Sequence, residues 1–170
     1  MIELRKDIWE IHDLRMPDVY AICITTNGSI KAIGEAVMGR GTAAQARDRF
    51  IGLAWTLGKA MQNDGNKVRI LKPGLIAFPV KPVFGVSNGQ NVVRSQQHRY
   101  IRGATVPGWA MKASLEIIER SLDELTELRG EHRWTRVYLP RPGCGAGELD
   151  WEIVRPLCLR RADWLTVVTI

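Results

Sequence analysis

The chain has 170 residues, of which 45% are apolar and 25% are charged, and this balance argues against disorder over most of its length. No apolar run is long enough to cross a bilayer, which excludes a protein built on membrane-spanning helices. The formal net charge of +6 favours anionic partners such as nucleotides, phosphates or nucleic acid, although solubility alone would also account for it.

The N-terminal stretch, residues 1–13, carries acidic residues early and has no apolar core, so we expect no export signal. The cysteines and histidines are scattered along the chain: Cys23, Cys144, Cys158, His12, His98 and His132. Their spacing predicts neither a close disulfide nor a zinc site. We therefore expect a cytoplasmic protein in a reducing environment, with no bound metal.

The first half of the chain alternates a strand-like pattern with a helical one. An apolar run at 18–25 predicts a buried strand. Apolar residues then recur at helical spacing over 42–64, which predicts one helix. Thr42 and Gln45 form a capping-box pattern at its start, and Gly65 is expected to end it.

The same alternation continues to the end of the chain. The further predicted elements are strands at 67–71 and 74–80, a helix at 111–130, a strand at 136–140, a helix at 150–160 and a strand at 164–170. Gly130 is expected to end the first of these helices, and Pro156 to interrupt the second early. This order predicts an α/β fold with a mostly parallel central sheet and helices on both faces.

Two loops of the predicted sheet are rich in glycine, and both run from the end of a strand into a helix. They are residues 25–41 and 141–148. Ligands of such sheets bind beyond the carboxyl ends of the strands, where free backbone N–H groups form an anion site. We expect the two loops to clamp a diphosphate, the alternative being ordinary tight turns. A P-loop motif is absent, which disfavours a nucleotide triphosphatase.

The joint order of several segments resembles the macro domains, which bind ADP-ribose. The segments are KDIWE (6–10), TTNG (25–28), GEAVMGRG (34–41), LIAFPVK (75–81), LPRPGCGAGELDW (139–151) and the closing strand. The resemblance covers nearly the whole chain. It implies one macro domain over residues 1–170, with a mixed central β-sheet sandwiched between α-helices and a ligand cleft at one end of the sheet.

The resemblance also implies site residues. Asp7 matches the acidic residue that accepts from the adenine amino group, Ile8 is its neighbour, and Asn27 matches a contact to the distal ribose. The matching phosphate-loop residues are Val37, Met38, Gly39, Arg40 and Gly41, then Gly143, Cys144, Gly145, Ala146, Gly147, Glu148 and Leu149. From the sequence alone, Asp7 could also be an exposed charge and Asn27 a turn residue. For Cys144, packing of the loop is favoured over a nucleophilic role, since no histidine lies near it in the sequence.

Lys81, at the end of the apolar strand 74–80, resembles the catalytic lysine of macro domains that remove ADP-ribose. That branch includes protein glycohydrolases and antitoxin enzymes that strip ADP-ribose from thymidine in DNA. The protein enzymes carry an aspartate where this chain has Gly147, so the chain resembles the antitoxin type more closely. A desolvated lysine becomes a nucleophile or base, or else stabilises charge, whereas most strand-end lysines are simply solvated.

Other positions separate the candidate functions less clearly. Ile24 stands where many macro domains carry an asparagine, so the hydrolase mechanism that uses that asparagine is not expected. Glu148 is a candidate acid or base, but capping of the next helix is the favoured interpretation. The segment 85–109 mixes basic and aromatic residues, which suits single-stranded nucleic acid, although a mobile solvated loop is the commoner explanation.

The sequence thus predicts an ADP-ribose-binding protein, and the resemblance implies an ADP-ribosyl glycohydrolase that uses Lys81 on modified DNA or protein. The alternatives are a non-enzymatic ADP-ribose reader and an ADP-ribose 1″-phosphate phosphatase. The expected partner is ADP-ribose or an ADP-ribosylated macromolecule, with contact to single-stranded nucleic acid through 85–109 and none to a membrane. No cofactor and no metal are required.

Overall fold

The computed structural model describes residues 1–11 and 16–169, which form a six-stranded central sheet and a separate two-stranded hairpin. The strands are β1 (Ile2–Arg5), β2 (Tyr20–Thr26), β3 (Arg69–Lys72), β4 (Leu75–Pro79), β5 (Phe84–Val86), β6 (Thr105–Pro107), β7 (Arg136–Pro140) and β8 (Leu165–Thr169). The helices are α1 (Gly41–Arg49), α2 (Leu53–Asp64), α3 (Leu115–His132) and α4 (Trp151–Leu159). The order in the sheet is β1-β8-β7-β2-β4-β3, and only β3 runs antiparallel to its neighbour.

Helices cover both faces of the sheet because successive side chains of its strands point to opposite sides. On β2, Ala21 and Cys23 belong to the core that α3 and α4 complete, whereas Ile22 and Ile24 belong to the core that α1 and α2 complete. Strands buried on both faces read as continuous apolar runs, as β2 and β4 do. The predicted α/β class, with a mixed sheet between helices, is confirmed.

The single helix predicted over 42–64 is wrong, because the chain forms α1 and α2 with a break between them. Phe50 is extended and Gly52 has a φ of 80°, a left-handed conformation that favours glycine. The predicted capping box is also wrong, since the Thr42 hydroxyl lies 3.3 Å from the backbone N–H of Thr25, which donates to it. Gly65 ends α2 as predicted, with a φ of 83°.

The two later helices also differ from the prediction. Helix α3 begins after Ser114, whose hydroxyl accepts from the N–H of Ile117, and it passes through Gly130 to a left-handed Arg133. Helix α4 continues through Pro156. Pro156 and Glu152 are both exposed, so water can serve the Glu152 carbonyl that proline leaves without a donor.

Three strands were not among the predicted elements: β1, β5 and β6. Most of their residues are at least partly exposed, so they lack the apolar run that marks a buried strand. The closing strand ends at Thr169, and Ile170 lies outside the described residues, as do positions 12 and 13 of the N-terminal stretch. Among the helices of the described ranges, none is long and apolar enough to span a membrane.

The segment 85–109, called the lobe below, contains regular structure, and about half of its residues are exposed, as its polar sequence indicates. It contains the hairpin of β5 and β6 and a short 3-10 helix, Arg94–Gln96. Val92, Val106 and Met111 pack with Ala110 into a small buried cluster of their own. The lobe is therefore organised around a small apolar core.

Candidate functional site

A cavity of about 400 Å³ lies at the carboxyl ends of β2, β4 and β7. Open α/β sheets bind ligands at this end, and the volume is in the range of small-molecule sites. Four parts of the chain form its walls: the loop between β2 and α1, the end of β4, the lobe 85–109 with Trp109, and the loop after β7. The two glycine-rich loops of the sequence thus face one cavity.

Asn27 organises the loop between β2 and α1. Its side-chain oxygen accepts from the N–H of Ser29 at 2.9 Å, and its side-chain nitrogen donates to the carbonyl of Val37 at 2.8 Å. Asn27 and Val37 both line the cavity. The turn role of Asn27 leaves room for a ligand contact, since its amide nitrogen carries a second N–H.

The start of α1 forms an electropositive wall of the cavity. Gly39, Arg40 and Gly41 line it, and the helix begins at Gly41 with a φ of 58°. The first N–H groups of a helix have no acceptor in a preceding turn, and the helix dipole adds positive charge there. Arg40 is exposed and adds a full charge. Met38, in contrast, is buried in the core and does not line the cavity.

The loop after β7 contributes Gly143, Gly145, Ala146 and Gly147 to the opposite wall. Two predicted residues of this loop point elsewhere, since Cys144 and Leu149 pack against the core. Burial raises the pKa of the Cys144 thiol to about 11, which keeps it protonated and makes it a poor nucleophile. Cys144 is therefore a packing residue, as one of the two sequence interpretations held.

Gly147 has no room for a side chain. A Cβ atom there would lie 2.4 Å from the carbonyl oxygen of Gly143 and 2.6 Å from the Cβ of Ala113. Gly143 is similarly enclosed and has a φ of 76°. Gly145, between them, has open space within 4 Å among the described residues. An aspartate at position 147 would require the loop to move.

Lys81 follows the end of β4, is buried with 6% of its surface exposed, and lines the cavity. Its Nζ donates to the carbonyl of Ala146 at 2.8 Å and to that of Trp109 at 3.1 Å. Burial lowers its pKa to about 8, which the charge of Glu148 opposes and that of Arg40 reinforces. The amine therefore joins the second glycine loop to the lobe, and it gives up its proton at a lower pH than a solvated lysine does.

Glu148 does not cap α4, so the interpretation favoured from the sequence is wrong. Asp150 is the N-cap residue, and its carboxylate accepts from the N–H of Glu152 at 3.0 Å. Glu148 instead accepts from the backbone N–H of Arg94, at 2.9 Å from its Oε1. It borders the side opening between the two glycine loops, together with Arg40 and Ala146.

Sequence reasoning missed several residues of the site. Gln96 and Arg141 line the cavity, and each has a buried side-chain atom with no hydrogen-bond partner in the described part of the chain: Oε1 of Gln96 and Nε of Arg141. Glu3 holds the other side of Arg141 through an ion pair of 3.2 Å. Buried polar atoms are normally paired, so these two are candidates for ligand contacts.

Asp7 and Ile8 lie outside the cavity wall. The Asp7 carboxylate accepts from the N–H of Trp9 at 3.0 Å and begins the short 3-10 helix Ile8–Glu10, while Ile8 is buried in the core. The ring N–H of Trp9 donates to Gln45 on α1, which borders the side opening of the cavity. Asp7 and Ile8, the predicted adenine contacts, therefore lie beside the cavity and not in its wall. In the structure, Asp7 caps the short 3-10 helix.

Comparisons with known proteins find similarity in structure. No family model and no curated protein matches the sequence. The macrodomain of Thermus aquaticus DarG is 20% identical with a TM-score of 0.66, and the match covers 99% of this chain and 97% of that one. The macrodomain of Mycobacterium tuberculosis DarG is 21% identical with a TM-score of 0.62, covering 98% and 96%.

A third similar structure is Thermosipho africanus DarTG in complex with ADP-ribose. It is 17% identical with a TM-score of 0.60, and the match covers 89% of this chain and 38% of that one. The sheet order, the helices on both faces and these matches lead to one conclusion about architecture. The chain has the macro domain fold, the fold that its sequence motifs resemble.

Proposed function

We propose that this protein binds ADP-ribose in the cavity and hydrolyses ADP-ribosyl modifications of a macromolecule, with Lys81 acting at the distal ribose. The observation that carries the proposal is the buried Lys81 amine, which donates to Ala146 of the second glycine loop and to Trp109 of the lobe and has a pKa of about 8. A desolvated amine of this kind serves as a base or nucleophile at neutral pH.

The walls of the cavity support the ligand assignment. Backbone N–H groups at the start of α1 and the Arg40 guanidinium suit a diphosphate, and the loop 143–147 closes the other side. A structure with the same fold, from Thermosipho africanus, is a complex with ADP-ribose. The cavity lies at the carboxyl ends of the strands, where this ligand class binds in α/β sheets.

The packing around Gly147 supports modified nucleic acid over modified protein as the substrate. The resemblance assigned an aspartate at this position to the protein glycohydrolases, and here no Cβ fits. The lobe 85–109 contributes residues to the cavity wall and carries exposed basic side chains, among them Arg94, Arg99 and Arg102. Exposed basic groups attract a phosphate backbone.

A second candidate is an ADP-ribose reader without catalysis. The specific observation in its favour is that Lys81 already donates to the carbonyls of Trp109 and Ala146. Two such bonds give the lysine a structural role, which a reader needs as much as an enzyme does. In that case the cavity binds ADP-ribose, and Lys81 only holds the walls together.

Product analysis by mass spectrometry separates these functions. The protein is incubated with ADP-ribosylated single-stranded DNA, ADP-ribosylated protein and ADP-ribose 1″-phosphate. We expect free ADP-ribose from the modified DNA and no phosphate from ADP-ribose 1″-phosphate. Release of ADP-ribose from none of the substrates contradicts the enzyme and favours the reader, whereas phosphate release would point to a phosphatase.

Free ADP-ribose is expected to bind with a dissociation constant well below 1 mM, because both glycine loops and Arg40 contact its diphosphate in the proposed complex. Titration calorimetry measures this directly. An affinity weaker than about 1 mM, or ~4 kcal/mol of binding free energy, would leave the ligand assignment without support. ADP is a suitable control ligand, because it shares the adenine, the first ribose and the diphosphate but lacks the distal ribose.

The substitution Asp7→Ala tests the adenine assignment. If the carboxylate recognises adenine, the variant should lose affinity for ADP-ribose by roughly 1.5–3 kcal/mol, the contribution of a charge-assisted hydrogen bond. Binding of ribose 5-phosphate, which lacks adenine, should change less. Equal losses for the two ligands would mean that Asp7 acts only as the cap of residues 8–10.

A further inference from the structure

Glu148 has a backbone conformation that few residues other than glycine adopt. Its φ is 58°, in the left-handed region. Such a conformation costs about 1 kcal/mol or more and persists where surrounding contacts hold it. The preceding residue, Gly147, is enclosed by its neighbours, so the backbone just before Glu148 cannot shift to relieve this conformation.

The side chain of Glu148 supplies a contact that holds this conformation. Its Oε1 accepts from the backbone N–H of Arg94, which is 54 residues away in the sequence. Arg94 begins the 3-10 helix whose other residues, Ser95 and Gln96, line the cavity. One carboxylate oxygen thus joins the second glycine loop to the lobe 85–109.

The other carboxylate oxygen of Glu148 has no hydrogen bond to a described residue, and the negative charge of the carboxylate acts on Lys81. Oε2 of Glu148 is buried and makes no hydrogen bond within the described ranges. Its charge acts on Lys81, whose Nζ donates to the carbonyl of Ala146, two residues before Glu148. The other charged residues that line the cavity are cationic: Arg40 on the first loop and Arg141 directly after β7.

We propose that Glu148 is a positioning residue for Lys81, which holds the loop that carries the Ala146 carbonyl against the lobe and balances the ammonium charge with its carboxylate. Glu148 needs no contact with substrate for either task. That this role matters for catalysis rests on the proposed function. The contact of Glu148 with Arg94 and its charge beside Lys81 are properties of the protein without a ligand.

The variant Glu148→Gln isolates the charge. Glutamine keeps the length of the side chain and an oxygen that accepts from Arg94, but it removes the negative charge. Because the carboxylate opposes the effect of burial, its removal should lower the titration midpoint of the Lys81 amine, on the order of one pH unit. NMR of lysine labelled at the side chain measures this midpoint, with Lys81→Arg identifying the signal.

The variant Glu148→Gly isolates the contact. Glycine relieves the left-handed backbone but leaves the Arg94 N–H without its acceptor. Hydrogen exchange of the Arg94 amide should therefore become at least several-fold faster in Glu148→Gly and stay unchanged in Glu148→Gln. Glu131→Gln, an exposed acidic position near the end of α3, should change neither measurement.

The outcomes separate this inference from the proposed function. An unchanged Lys81 midpoint in Glu148→Gln would overturn the charge balance, and unchanged Arg94 exchange in Glu148→Gly would overturn the contact. Neither measurement needs a substrate. If the wild type releases no ADP-ribose, the proposed function fails while both predictions about Glu148 are still decided by the titration and the exchange rates.

Discussion

Replacing Lys81 with alanine should lower the single-turnover release of ADP-ribose from modified DNA by about 10²–10⁴-fold, the usual contribution of a general acid or base. Free ADP-ribose should still bind, because in the proposed complex the diphosphate is held by the two glycine loops and Arg40, which line the cavity. A catalytic group acts mainly on the transition state, so the rate and not the affinity carries the effect.

The Lys81→Ala variant needs a control for folding, because Lys81 also donates hydrogen bonds to two backbone carbonyls. Its removal leaves the carbonyls of Ala146 and Trp109 without that donor, at a cost of about 1–3 kcal/mol each if they stay buried. Release is therefore compared at a temperature where urea denaturation shows the variant to be folded. If Lys81→Ala releases ADP-ribose as fast as the wild type, Lys81 is not the catalytic group.

The pH dependence distinguishes two roles of the amine. If the neutral amine is the base or nucleophile, release should rise as the pH passes about 8, where burial has placed the pKa of Lys81. If the ammonium charge stabilises the transition state, release should fall over the same range. Lys81→Arg should be inactive in the first case, since guanidinium stays protonated, and active in the second.

Replacing Gly147 with alanine should disrupt the second glycine loop. The new Cβ would lie 2.4 Å from the Gly143 carbonyl oxygen, closer than any packed structure tolerates, so the loop must shift. Overpacking of this kind should lower the free energy of unfolding by roughly 1–3 kcal/mol. The shift should also displace the neighbouring Ala146 carbonyl from Lys81 and weaken ADP-ribose binding.

Gly145→Ala is the matched control for stability within the same loop. Its Cβ would meet no described atom within 4 Å, so the free energy of unfolding should change by less than about 0.5 kcal/mol. Urea denaturation of the two variants measures the difference. Equal stability of Gly147→Ala and the wild type would show that the loop is looser than its packing indicates.

Much of the fold could be predicted because the strands of a parallel sheet are buried on both faces. Continuous apolar runs such as 74–80 therefore read as strands, and the alternation with helices gives the class. The break between α1 and α2 was hidden because Ala46, Phe50 and Leu53 keep a helical spacing across it. The left-handed Gly52 that makes the break has no distinct sign in that pattern.

The site was predictable where a residue follows a strand directly. Asn27 and Lys81 come just after β2 and β4, and both line the cavity. Contacts between distant segments were not predictable, since nothing near Glu148 in the sequence indicates a bond to Arg94. The pairing of Arg141 with Glu3 was likewise not predictable, since it depends on β1, β8 and β7 lying side by side in the sheet.

The most direct test of the central claim is a crystal structure of the protein with ADP-ribose. We predict the diphosphate between the start of α1 and the loop 143–147, with the distal ribose next to the Lys81 amine. Atoms of the ligand should also approach the buried Nε of Arg141, which has no partner among the described residues. ADP-ribose bound elsewhere on the surface, or with its distal ribose away from Lys81, would contradict the account.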